Sequence, residues 1–296
     1  MLVMPDTTEN PCGAAPLAVA VSPDRLGRLA ARALREEAIL TPKPGLVDLR
    51  GGNAHHDMDV ETLVASADAL ADPITRCAEA ALSAPLGPRL RARIGAIGRA
   101  GERRMLDATG GVNTHRGALW TLGLLAAGLA AHPHPASAAA FAARLASIPD
   151  PALPVRQLSH GAVARRRYGA AGAVGEACAG FPHTMQVALP ALRAARTAGC
   201  DEDTARLAAL LSCMARLEDT CTLHRAGREG LAIVRDGAEA ILRAGGWATA
   251  RGRELLGELD LVTRRLRLST GGSGDVLAAA LFVDSTEKLW RAAEKD

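Results

Sequence analysis

Nowhere along this chain do Val, Ile and Thr alternate with polar residues over the roughly four to eight positions that a half-buried strand needs. Apolar residues recur at helical spacing instead, as in Leu26, Leu29, Ala30, Ala33, Leu34 and Ile39. Hydrophobic residues make up 48% of the 296, aromatics only 2%, and Ala and Leu supply most of the apolar content. Small side chains let helix axes approach, and Ala is the least costly residue to hold helical. The expected class is all-α. With no internal repeat and no low-complexity linker, the expected architecture is one compact multi-helix domain over residues 22–296. Residues 1–21 carry Pro5, Pro11, Gly13 and Pro16 and read as a flexible arm.

Punctuation residues divide the rest. A helix opens at Ser22 with Pro23 in its first position and stops before Pro42. Asp57 or Asp59 caps the next, which runs through Leu70 and beyond. After the break at Pro85–Pro88, a basic helix from Arg89 to Asp107 ends at Gly110-Gly111, and Asn113 caps its successor. Further helices are expected at Ala136–Ser147, Val155–Tyr168, Gly175–Ala198 (interrupted near Pro182) and Asp203–Leu223. The last three are Arg228–Arg243, Thr249–Leu266 and Gly274–Phe282.

Several function classes drop out. A net charge of +3 and so few aromatics give neither an electrostatic surface nor a stacking platform for nucleic acid. No run is long and apolar enough to read as a membrane span, and residues 1–20 lack signal-peptide character. None of the six cysteines forms a Cys-x-x-Cys pair, so the cytoplasm, with reduced thiols, is the expected compartment. There is no Gly-Lys dipeptide and no Gly-x-Gly-x-x-Gly, which removes the familiar nucleotide-binding loops.

Polar residues gather where helices begin or end, the places where backbone N–H groups and side chains converge on ligands. In Thr41-Pro42-Lys43-Pro44-Gly45, two prolines stiffen the backbone around the only lysine before Lys288. Lys43 suits a phosphate there, although a plain helix-ending loop reads the same way. Asp57 and Asp59 follow His55-His56; they suit Mg²⁺, which takes one or two carboxylates plus substrate phosphates, or they simply cap a helix. Gly110-Gly111 lead to Asn113, Thr114, His115 and Arg116, an anion site or an ordinary interhelical turn. Asp219, Thr220 and Arg225 lie on a stretch otherwise rich in Leu and Ala. Gly271, Gly272 and Ser273 form a turn whose N–H groups suit an anion, with Asp275 beyond it. Glu176 follows Gly172 and Gly175 and reads as a dipole partner or an acid catalyst.

The order of these segments is more specific than any one of them. Thr-Pro-Lys-Pro-Gly-Leu-Val-Asp at 41–48 and Asn-x-His-x-Asp-Met-Asp at 53–59 resemble the N-terminal signature of the triphosphoribosyl-dephospho-CoA synthase family. Gly-Val-Asn-Thr-His-Arg-Gly at 111–117 and Gly-x-x-Gly-Glu-Ala at 172–177, with Phe-Pro-His after it, are similar to its next blocks. Asp-Thr-x-x-x-x-Arg at 219–225 and Ser-x-Gly-Gly-Ser-x-Asp-x-Leu-Ala at 269–278 resemble the last two. Thr270 and Gly274 depart from the Pro and Ala of that pattern. The wording Asp-Thr-Cys-Thr-Leu-His-Arg is closer to the malonate decarboxylase branch than to the citrate lyase branch.

The resemblance implies transfer of the triphosphoribosyl group of ATP to the 2′-hydroxyl of 3′-dephospho-CoA, with release of adenine. It implies Mg²⁺, breakage of a glycosidic bond, and hence no need for a phosphate-cleaving loop. On that reading Lys43, Arg116 and Arg225 meet phosphates. Asn113, Thr114, Thr220, Gly271, Gly272 and Ser273 bind substrate, and Asp57, Asp59 and Asp275 bind metal. Asp219 faces the oxocarbenium centre, and His115 and Glu176 move protons. The residues alone also accommodate a Mg²⁺-dependent N-glycoside hydrolase, or a helical scaffold whose polar segments only cap. A homodimer is compatible with either.

Overall fold

The computed structural model describes residues 21–152 and 160–294, so the expected arm, and residues 155–159 of the expected helix Val155–Tyr168, lie outside the described residues. The described residues form twelve α-helices and no strand. They are α1 (Pro23–Ile39), α2 (Val60–Ser83), α3 (Pro88–Ala108), α4 (Arg116–Ala131), α5 (Pro135–Ala146) and α6 (His160–Tyr168). Then come α7 (Gly172–Cys178), α8 (Leu189–Thr197), α9 (Glu202–Met214), α10 (Thr220–Arg243), α11 (Ala250–Leu266) and α12 (Gly271–Ala293). A π-helical turn at Thr184–Ala188 joins α7 to α8, where the Pro182 interruption was expected. None of the described helices is long and apolar enough to cross a membrane.

Two helices, α4 and α12, run through the middle and are apolar on nearly every side. Leu122, Leu124, Leu125 and Leu129 of α4 and Leu277, Leu281 and Phe282 of α12 are buried in one shared core. Helices α1 and α2 pack against this pair, α8, α9 and α10 pack against α12, and α11 lies on α10. Small residues set the spacing. A Cβ on Gly27 of α1 would meet the Ala71 carbonyl oxygen at 2.6 Å, and one on Gly128 of α4 would meet the Ala138 carbonyl oxygen at 2.3 Å. Core packing at this distance leaves no room for a methyl group, so these glycines offset their poor helix propensity by closer contact.

Of the two caps expected for α2, Asp59 is the one used, its carboxylate accepting from Thr62 N at 2.8 Å. Other boundaries differ from expectation, and α12 runs past Phe282 to Ala293. Asn113 does not cap α4, because the chain turns helical only after His115. The expected helix Asp203–Leu223 is two elements. The first, α9, ends at Met214, and after a short connection Asp219, with an extended backbone, accepts from Cys221 N and starts the next. Helix α10 then continues through Gly227, a kink with φ 65° and ψ −159°, to Arg243. At that positive φ a side chain would be strained, so the kink depends on glycine.

Candidate active site

The break before Asp219 positions the site. The first turns of α4, α10 and α12 converge on a cavity of about 490 Å³, bounded also by α1, by the loop through His55 and Asp57, and by α6 and α7. Helix N-termini carry the positive end of the macrodipole, which favours negative groups beside them. Of the carboxylates that line the cavity, Glu37, Asp219 and Asp275 lie against glycines of these first turns.

Each carboxylate sits over a glycine that leaves it room. A Cβ on Gly117 would lie 2.1 Å from Asp275 Oδ2, one on Gly272 3.0 Å from Asp219 Oδ1, and one on Gly274 3.1 Å from Glu37 Oε1. Asp219 Oδ2 accepts from Ser273 N at 2.9 Å and Ser273 Oγ at 3.1 Å, which ties the start of α10 to the start of α12. Asp275 accepts a backbone hydrogen bond from Ala118 at the start of α4. Ser273 is thus a support behind Asp219 and does not line the cavity.

Burial controls the charge of these groups. It raises the Asp219 pKa above its ordinary value against the opposing hydrogen bonds from Ser273 and Cys221. It pushes Asp275 well above the ordinary range, and repulsion from Glu37 and Asp219 adds to the effect. Although the Asp275 side chain keeps some accessible surface, that surface opens onto the cavity and the group is otherwise enclosed by protein. Burial likewise holds the His115 imidazole neutral, with its pKa lowered to about 4. Its Nδ1 lies 2.8 Å from Ser66 Oγ, which in turn lies 2.6 Å from Thr114 Oγ1, while Nε2 is buried with no partner among the described residues. His55 is also lowered to about 4, by burial first and then by Arg225; it bridges Ser269 Oγ at 3.0 Å and Arg225 Nη2 at 3.2 Å.

The structure brings Asn113, Thr114, His115, Arg116, Glu176, Asp219, Thr220, Arg225, Gly271, Gly272 and Asp275 to one cavity, with Asp57 at its mouth. It does not bring Lys43 or Asp59 there. Lys43 has no exposed surface, and its Nζ is spent on Glu37 Oε1 at 2.8 Å and on the carbonyls of Glu37 and Ala38. Asp59 is occupied as the cap of α2. Glu176 accepts from His183 N at 2.7 Å and pairs with His183 Nδ1 at 2.8 Å, just before the π-helical turn.

Glu37 is the residue that sequence reading missed. Its signal was its spacing: it falls on the stripe of Leu26, Ala30, Ala33 and Leu34, a carboxylate where an apolar residue belongs. Arg165, on the α6 wall, was also missed, hidden in the run Arg165–Arg167.

As to metal, no three His, Cys, Asp or Glu side chains among the described residues are grouped as a ready cage. The donor set fits Mg²⁺ in its usual form, one or two carboxylates completed by substrate phosphates and water. Asp275, and Asp57 at the mouth, are the carboxylates that could hold it.

An all-α domain whose helix termini deliver carboxylates, a neutral imidazole and arginines into one cavity is built as an enzyme, without any of the loops that cleave phosphoanhydrides. The chain belongs to the CitG family, ATP:dephospho-CoA triphosphoribosyl transferase, which it matches over residues 23–294. It is 51% identical over 270 residues to a probable 2-(5″-triphosphoribosyl)-3′-dephosphocoenzyme-A synthase of Azotobacter vinelandii, covering 90% of this chain and 92% of that protein. A relative of the same name from Pseudomonas putida is 50% identical over 269 residues, 90% of this chain and 96% of its own length. No solved structure gives a significant match.

Proposed function

We propose that the chain transfers the triphosphoribosyl group of ATP to the ribose 2′-hydroxyl of 3′-dephospho-CoA and releases adenine. In this step the bond from ribose C1′ to the adenine nitrogen breaks and a bond from C1′ to the acceptor oxygen forms. The hydroxyl gives up one proton and the departing adenine gains one, so the step balances without an added reductant or oxidant. The observation that carries the reading is the enclosed carboxylate group of Glu37, Asp219 and Asp275, each on its glycine. Positive charge developing at C1′ is stabilised by fixed carboxylate in a water-poor site.

Within this scheme Asp219, held by Ser273 and Cys221, faces the oxocarbenium centre. Asp275, with Asp57 at the mouth, would hold Mg²⁺, which would offset the charge of the triphosphate. Arg116 and Arg225 meet phosphate oxygens, and Asn113, Thr114, Thr220 and the turn at Gly271-Gly272 orient the substrates. Glu176 takes the acceptor proton. His115, neutral, donates a hydrogen bond toward the leaving base. Lys43 acts through Glu37, whose carboxylate it holds in place.

The product is the precursor of the prosthetic group of an acyl-carrier subunit. We assign that subunit to malonate decarboxylase, on the wording of residues 219–225, ahead of citrate lyase. In the test, adenine release from Mg·ATP is followed with and without 3′-dephospho-CoA. Transfer requires that release depend on the acceptor; equal release without it would mean hydrolysis.

A further inference from the structure

Three arginines line the cavity, Arg116, Arg165 and Arg225. Two are already engaged. Arg116 pairs with Glu102, and Arg225 donates to the Ala54 carbonyl at 2.9 Å and to His55 Nδ1 at 3.2 Å. The guanidinium of Arg165 has no ion pair and no hydrogen bond among the described residues, although the side chain is half-buried. A partly desolvated cation with no counter-charge is unfavourable unless a ligand supplies one.

The stem of Arg165 is placed by its neighbours. Gly172, at φ 58°, lies beneath it, and a Cβ there would come within 3.1 Å of Arg165 Cδ and 3.2 Å of Thr220 Cγ2. The wall around it is neutral and small: Gly161, Ala162, Ala173 and Val174. The cavity therefore offers two kinds of partner for phosphate. The carboxylates Glu37, Asp219 and Asp275 suit a triphosphate that arrives with a metal ion, whereas Arg165, unpaired among the described residues and beside an apolar wall, suits a diphosphate continued by an uncharged chain.

Building on the transfer reading, we propose that Arg165 binds the diphosphate of the acceptor nucleotide, with the uncharged arm of that substrate lying along α6 and α7. A guanidinium fork takes two phosphate oxygens at once, a geometry that lysine does not reproduce.

The test is calorimetric titration of wild type and Arg165→Gln with three ligands: 3′-dephospho-CoA, Mg·ATP, and pantetheine, which has the arm but no phosphate. Arg165→Gln is expected to weaken 3′-dephospho-CoA about 10- to 100-fold, leaving Mg·ATP and pantetheine unchanged. Arg165→Lys should recover part of the loss. A loss confined to Mg·ATP, no loss at all, or an equal loss for pantetheine overturns the proposal, the last because it reports disturbed packing of α6. These affinities need no turnover, so they are read separately from whether adenine is released.

Discussion

Glu37 and Lys43 form an ion pair closed to solvent, with Oε1 and Nζ 2.8 Å apart and no exposed surface on the lysine. The lysine lies behind the cavity floor and the carboxylate forms part of it. Removing one partner leaves the other charge buried and uncompensated, which typically costs about 3–5 kcal/mol. Glu37→Gln is therefore expected to lower unfolding free energy by about that amount, while Glu37→Leu combined with Lys43→Met restores most of it. Chemical denaturation of wild type and the two variants measures this. A double variant as unstable as the single one would contradict the pairing.

Gly117 tests whether the glycine cradles matter. A methyl group at 117 would sit 2.1 Å from Asp275 Oδ2, against 3.0 Å from Asp219 Oδ1 for one at Gly272. Gly117→Ala must displace the carboxylate or the start of α4, at a cost of about 1–3 kcal/mol for forced overpacking. We expect it to reduce kcat/KM more than Gly272→Ala does. Steady-state kinetics on both variants decides, and the reverse order would separate Asp275 from the chemistry.

Asp219 tests the proposed charge stabilisation. Asparagine keeps one acceptor for Cys221 N but turns an amide N–H₂ toward the Ser273 donors, leaving a buried donor unsatisfied at about 1–3 kcal/mol. Asp219→Asn should keep the helical circular dichroism spectrum and a somewhat lower Tm, while adenine release falls by about 100-fold or more. Near-normal release would remove Asp219 from the reaction.

The pH dependence of stability tests the buried imidazole. His115 is held to about 4 from an ordinary 6.5. The unfolded chain therefore takes up this proton first, so stability is present above pH 6.5 and is lost as pH falls toward 4. The full loss is about 3 kcal/mol for a shift of this size. Asp219 and Asp275, raised in the folded state, oppose the trend, so the informative quantity is a difference between proteins. Between pH 6.5 and 4, His115→Gln should lose less stability than wild type. Parallel curves would mean that the imidazole is not held neutral.

The helical class and most of the elements were legible because Ala- and Leu-rich stripes and Pro or Gly breaks are local signals. Most of the site was legible because its residues cluster at helix starts. What escaped depended on tertiary context. The break before Asp219 was hidden because Leu217 continues the apolar content of α9 with no Pro or Gly between Met214 and Asp219, and the new start shows only in the Asp219 side chain capping α10. Lys43 was read as a phosphate ligand because Pro42 and Pro44 stiffen its loop. The partner that turns it inward, Glu37, lies on the preceding helix, and that pairing exists only once the loop folds back. Arg165 carries no motif, and its significance comes from the engagement of the other two arginines.

The central claim is that the bond broken is the glycosidic one and that the ribose carbon moves to an acceptor hydroxyl. Mass analysis of a reaction containing the protein, Mg·ATP and 3′-dephospho-CoA tests it most directly. Transfer gives adenine in equal amount to an acceptor that has gained the triphosphoribosyl mass. ADP or AMP as the nucleotide product, or adenine beside free triphosphoribose and unchanged acceptor, would contradict it.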